Sequence, residues 1–180
     1  MTETALLVPV PEAEAVASRW RRAHDPAAPA GIPAHVTVLY PFLNPPAIRP
    51  PLVRDLAALF AGVPPFDFAL ADRRCFPGVT WLSPVPAEPF RRLTERVFRR
   101  FPERPPYGGI HVAVIPHLTL AMADGPELVA AIDADLAGKL PVTAQATEVD
   151  LYVGSNQRGW RLRERFPLGP VRGGRRRALG

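Results

Sequence analysis

Residues 35–42 read HVTVLYPF and residues 117–122 read HLTLAM. Both stretches open with histidine, an apolar residue, threonine and another apolar residue. On a strand, residues i and i+2 project to one face and the residue between them to the other. His35 and Thr37 therefore share a face while Val36 and Val38 enter a core, and His117 and Thr119 do likewise opposite Leu118 and Leu120. The chain holds four histidines and eight threonines among 180 residues. Two histidines each followed by threonine at this spacing is about a 1% coincidence, and apolar flanks at every position lower it below about 0.1%. A repeat of both histidine and threonine has no core-packing rationale, so the pair points to chemistry.

Working outward, each motif lies in the same surroundings. Residues 4–10 (TALLVPV) have the pattern of a strand, followed by a helix over about 11–22 with Ala13, Val16, Ala17 and Trp20 at helical spacing. A Pro/Ala-rich loop, 23–34, leads into the first motif. A helix over about 51–61 follows, carrying Leu52, Leu56, Leu59 and Phe60, then a strand over 66–76 with Phe66, Phe68 and Leu70 on one face. The order then restarts. VTWLSPVPAEPF (79–90) runs from strand through Pro-Val-Pro into helix, as residues 4–14 do. The helix of about 87–101 carries Phe90, Leu93, Val97 and Phe101. A Pro/Gly-rich loop precedes the second motif strand, 117–122. Asp124 is placed to cap a helix bearing Leu128, Ile132 and Leu136. PVTAQATEVDLYVG (141–154) is expected as one long strand, with GWRLRERFPLG as its hairpin partner. The expectation is an α+β protein of two pseudo-symmetric β-α-β-α-β halves, about 4–76 and 79–168, whose antiparallel sheets face a central cleft within a single bilobal domain, 1–170.

Composition bounds the function. Net charge is +5, and 21 of the 22 basic residues are arginine. Residues 171–180 carry four arginines and no acid, so the rest of the chain balances near neutrality at +1 (18 basic, 17 acidic). The tail is expected to fray, and a general RNA-binding role driven by charge is disfavoured. One cysteine, Cys75, excludes a disulfide framework and a cysteine-based zinc cluster, and it is expected as a small buried hydrophobe. No secretory signal and no run of about 18 apolar residues is visible, so a cytoplasmic protein without a membrane span is expected. No Gly-rich loop ends in Gly-Lys-Ser/Thr, and Gly154-Ser155-Asn156 lacks the pattern of a nucleophile elbow. No His, Cys or acidic cluster accompanies the motifs at the spacing of a catalytic zinc site, so neither metal nor cofactor is expected.

Two imidazoles on opposite sides of a phosphorus atom supply what phosphodiester chemistry needs. One takes a proton from the attacking water or hydroxyl, and the other protonates the leaving oxygen. Two threonine hydroxyls can donate to the non-bridging oxygens. The paired motifs, about 80 residues apart, resemble those of the 2H phosphoesterase superfamily, and HVTVLYPF resembles its bacterial 2′-5′ RNA ligase-like branch. The resemblance covers about residues 4–168. It implies a bilobal fold and metal-independent action on 2′,3′-cyclic phosphates or 2′-5′ linkages of RNA or nucleotides. It also implies His35 and His117 as acid and base in unassigned order, with Thr37 and Thr119 on the phosphate. The other class kept open is a phosphate-ester or RNA-binding module of the same fold without turnover.

Further candidates are weaker. Tyr40, Phe42, Tyr152 and Trp160 are aromatics near strand ends where a base would stack, although core packing is the commoner role for each. In the last hairpin Trp160, Leu162 and Phe166 are expected on one face and Arg161, Arg163 and Arg165 on the other, with Arg161 a candidate phosphate contact. His24 and His111 lack the threonine and receive no role. A monomer with no protein partner is expected.

Overall fold

The computed structural model describes residues 2–103 and 114–169; the proposed tail at 171–180 and His111 lie outside them. Eight strands form two antiparallel four-stranded sheets among the described residues. The strands are β1 Glu3–Pro9, β2 His35–Leu39, β3 Phe66–Phe76, β4 Val79–Val85, β5 Leu118–Ala121, β6 Val142–Ala146, β7 Glu148–Ser155 and β8 Gly159–Pro167. The first sheet is ordered β2-β1-β7-β8 and the second β5-β4-β3-β6.

The expected α+β architecture is present, with one correction to its halves. The stretch 141–154 is not one strand. It breaks at Thr147 into β6, which pairs with β3, and β7, which pairs with β1 in the other sheet. The first sheet therefore takes its strands from the two ends of the chain and the second from the consecutive strands β3–β6 between them, so the spans 4–76 and 79–168 are not the two sheets. The apolar alternation slips by one residue there, from Val142, Ala144 and Ala146 to Val149, Leu151 and Val153, with Thr147 and Glu148 both polar between them.

Among the described residues four α-helices cover the sheets: α1 Glu14–His24, α2 Pro50–Ala61, α3 Glu88–Arg100 and α4 Pro126–Leu136. Their expected apolar faces are the buried ones. Val16, Ala17 and Trp20 of α1, Leu56 and Phe60 of α2, Phe90, Leu93 and Val97 of α3, and Ile132 and Leu136 of α4 join one core with the inward strand residues. Pro11 begins a short 3-10 turn rather than α1 itself. The N-cap of α4 is Gly125, not Asp124; the Asp124 carboxylate instead accepts the Gly78 backbone N–H at 3.0 Å, across the β3–β4 turn. Cys75 is exposed rather than buried. It shares a face with Arg73, while its neighbour Phe76 turns to stack on Trp81.

The helices cross over between the sheets: α1 packs against β5, and α3 against β2. Thr94 of α3, fully buried, donates its hydroxyl to the Val38 carbonyl at 2.9 Å. This reciprocal arrangement brings the two edge strands β2 and β5 against each other. No helix among the described residues is long and apolar enough to cross a membrane.

Candidate active site

Each His-x-Thr pair stands on the strand at the junction-side edge of its sheet. Val36 and Val38 are buried while His35 and Thr37 are half-buried, as two-residue alternation requires. In β5 Leu118 and Leu120 are buried and Thr119 is half-buried, with His117 just before the strand. Neither threonine hydroxyl is engaged by another described residue.

The two rings are held in the same way. The Nδ1 of His35 lies 2.8 Å from the Pro33 carbonyl, and that of His117 2.7 Å from the Ile115 carbonyl. A carbonyl only accepts, so Nδ1 carries the proton in both rings. In the neutral imidazole Nε2 is then an acceptor, turned away from the anchoring backbone. The anchor lies two residues before the histidine in both motifs, so the local chain sets tautomer and orientation together.

Their surroundings differ. Burial is the largest influence on His35, followed by the Arg21 guanidinium, and its pKa falls from 6.5 to about 4. His117 is also displaced downward, chiefly by burial. It packs edge-on against Phe76 and Trp81, at centroid distances of 5.3 and 5.8 Å. The charge of His117 adds, as the smallest influence, to the lowering at His35, in keeping with the contact of β2 with β5.

A cavity of about 200 Å³ opens beside His35 and Thr37. Tyr40, Met122 and Trp160 supply its apolar wall, and Asp25 and Asn156 its polar one. Tyr40 and Trp160 meet edge to face at 6.2 Å. The Tyr40 hydroxyl donates to Glu3 at 2.7 Å, and the Trp160 indole N–H donates to Asn156 at 2.9 Å. Burial and the Glu3 carboxylate push the Tyr40 hydroxyl up to about 12, so it stays a donor.

The structure thus brings His35, Thr37, Tyr40 and Trp160 to one cavity, with β5 against its edge, but not the other candidate contacts. Phe42 is buried in the main core, edge-on to Phe101 at 5.3 Å. Tyr152 is buried with Ala5, Leu7 and Ile32 beneath the loop preceding β2. Arg161 lies exposed on the edge strand β8, outside the cavity. A register shift in the β7–β8 pair, at Leu151/Tyr152, also places Trp160 and Phe166 in different clusters, not on the shared face that simple alternation implies. Arg21, Asp25 and Met122 were missed. The signal for the first two was available, since arginine and aspartate four apart at a helix end are neighbours.

Comparison with known proteins places this geometry. The model of the 2′-5′ RNA ligase superfamily matches residues 9–158. The chain belongs to the 2′-5′ RNA ligase superfamily, the 2H phosphoesterases. No curated protein matches it. Among solved structures, Escherichia coli LigT complexed with 3′-AMP is similar, at TM-score 0.61 and 20% identity over 93% of this chain and 98% of that one. TT0787 of Thermus thermophilus is similar at TM-score 0.55 and 20% identity, over 94% and 99%. A structure described as a phosphoesterase aligns at TM-score 0.58 and 18% identity, over 94% and 99%. At these identities the likeness is one of fold. The two-sheet frame of this 2H phosphoesterase superfamily member is therefore shared along nearly its whole length.

Proposed function

We propose that this protein is a metal-independent phosphoesterase that opens 2′,3′-cyclic phosphates of RNA or nucleotides to 2′-phosphates. The observation that carries the reading is the pair of His-x-Thr units on edge strands that meet, each ring oriented through Nδ1 by a backbone carbonyl two residues earlier. A cyclic phosphate seated between them would have one Nε2 take a proton from the attacking water. The water oxygen bonds to phosphorus, the bond from phosphorus to the 3′ oxygen breaks, and that oxygen takes its proton from the other Nε2. Thr37 and Thr119 would donate to the non-bridging oxygens, which gain charge on the way. Tyr40 and Trp160 on the cavity wall would offer aromatic surface to a base. With an RNA 5′-hydroxyl in place of water, or a 2′-5′ linkage in place of the ring, the same groups would serve ATP-independent 2′-5′ ligation or its reversal. The protein would act as a monomer in the cytoplasm, with RNA or a nucleotide as its partner.

The test is incubation of a short RNA ending in a 2′,3′-cyclic phosphate, with EDTA present, alongside His35→Ala and His117→Ala. Wild type alone should yield a terminal 2′-phosphate, with each variant at least about 100-fold slower. Full activity in either variant overturns the two-histidine mechanism. RNA bound without any product overturns the esterase reading in favour of a binding module.

A further inference from the structure

A second cavity, of about 340 Å³, adjoins the one beside His35 and is lined by Glu3, Tyr40, Ser155, Asn156, Gln157 and Trp160. The two share Tyr40, Asn156 and Trp160; the first reaches His35 and Thr37, and the second reaches Glu3. Strand β1 sets the spacing. Glu3 falls on the same face of β1 as Ala5 and Leu7, which pack in the small cluster with Tyr40 and Trp160. Leu7 pairs with Thr37 across the ladder. Four residues of strand carry the chain from Leu7 to Glu3, about 13 Å. A nucleotide whose phosphate lies against Thr37 would therefore lay its base along Tyr40 and Trp160 and bring the far edge of that base to Glu3. The polar groups waiting there have opposite characters. The Tyr40 hydroxyl engages Oε2 of Glu3 at 2.7 Å, and Oε1 has no partner among the described residues. The Trp160 indole N–H donates to Oδ1 of Asn156, which fixes the amide and leaves Nδ2 as an uncommitted donor. The cavity thus offers an anionic acceptor and a neutral donor.

We infer that this second cavity selects a guanine base, with Glu3 accepting from N1–H and the N2 amine and the Asn156 amide donating to O6. The inference rests on the esterase reading above and names the base of its substrate. Guanine alone among the four bases carries two adjacent donors on its Watson–Crick edge, and a carboxylate is the side chain that accepts a parallel pair. Adenine and cytosine would bring one amine to Glu3 and set a ring-nitrogen lone pair against its other oxygen. Uracil would set a carbonyl oxygen there, on either side of its single N–H. A site built to hydrogen-bond one edge rejects the others because its own polar groups are then left unmatched. Glu3 and Asn156 touch the base and no reacting atom, so they set specificity and leave the chemistry to the two motifs.

The experiment compares kcat/KM for the 2′,3′-cyclic phosphates of guanosine, adenosine, cytidine and uridine. Wild type should favour guanosine over each of the others by at least about 10-fold. Glu3→Gln exchanges an acceptor for a donor and should cut the guanosine-to-cytidine ratio by about 10- to 100-fold. Asn156→Asp keeps an acceptor for the Trp160 N–H, removes the Nδ2 donor and sets a second carboxylate before O6, so it should lower the same ratio. It also keeps the test decisive if Glu3→Gln does not fold. A merely structural role for Glu3 and Asn156 would slow all four substrates alike and leave the ratio where it was, which overturns the inference. Equal values in wild type, or a preference for another base, while His35→Ala is inactive, overturn it too and leave the esterase reading standing. Turnover of none of the four overturns the esterase reading instead. Calorimetric binding of guanosine and cytidine 2′,3′-cyclic phosphates then still decides the base: tighter guanosine binding that Glu3→Gln abolishes supports the assignment, and equal binding overturns it.

Discussion

Two buried ionisable residues pull the acid stability of the protein in opposite directions. His35 titrates near 4 in the folded state against 6.5 ordinarily. Above pH 6.5 it contributes nothing. As pH falls from 6.5 to 4 the unfolded chain takes a proton that the native ring refuses, and stability drops by up to about 3 kcal/mol. Asp150 is the reverse case. Burial first, and then the Glu148 charge, raise it from 3.8 to about 6, against the opposing ion pair with Arg165 at 3.2 Å. Its native form binds the proton first, so its contribution grows as pH falls from 6 to 3.8 and is lost as pH rises through 6. The two windows overlap, so wild-type melting temperature should change little between pH 6 and 4. Asp150→Asn, which mimics the protonated form, should melt higher than wild type at pH 7.5. Its advantage should vanish by pH 4, with a steady fall that exposes the His35 penalty. A calorimetric pH series checks both slopes. At the same scale, Thr37→Val should lower kcat about 100-fold with little change in KM, because a donor to developing charge matters most in the transition state. A rise in KM alone would make Thr37 a binding contact only.

Strands and helices divide by how local their determinants are. The two motif strands and the four helices were legible because an apolar residue at a fixed period meets a core whatever the long-range topology, as Val36, Val38, Leu118 and Leu120 show. The break at Thr147 leaves a local mark, a one-residue slip in the apolar alternation, but which distant strand each piece pairs with, β3 for β6 and β1 for β7, was not legible. The shifted register between β7 and β8 was hidden for the same reason, and with it the separation of Trp160 from Phe166. At the site, the histidines, the threonines, Tyr40 and Trp160 could be picked out from type and position. Phe42 could not be told from Tyr40 two residues earlier, because only the chain's course after β2 sends one ring to the cavity and the other to Phe101. That difference is measurable. Phe42→Ala should cost about 3–5 kcal/mol of stability by cavity formation, while the pH profile of the surviving folded enzyme stays unchanged. Tyr40→Phe should do the converse, keeping the fold and altering KM.

The molecule as a whole depends on one connection, the 24–34 loop between α1 and β2, which touches both sheets. At its start the His24 carbonyl accepts the Met122 N–H at 2.8 Å, one residue beyond the end of β5. Near its end the Ala30 carbonyl accepts the Trp160 N–H of β8 at 2.6 Å. Between them run the Arg21 and Asp25 contacts, so one loop links the His117 strand, the cavity wall and the His35 anchor. Gly31 is the tightest point of this strap. Its φ of +107° is a conformation that residues with a side chain rarely adopt, and a Cβ there would lie 2.8 Å from the Trp160 carbonyl oxygen. No flexible side chain stands in the way to move aside, so the backbones of the loop and β8 must separate. Gly31→Ala should therefore cost about 1–3 kcal/mol of stability. It should also lower kcat/KM beyond what its loss of folded fraction explains, because Trp160 and the Pro33 carbonyl shift together. Activity per folded molecule, measured at low temperature where the variant remains native, separates the two effects. An undiminished value there would mean that the strap stabilises the fold without setting the site.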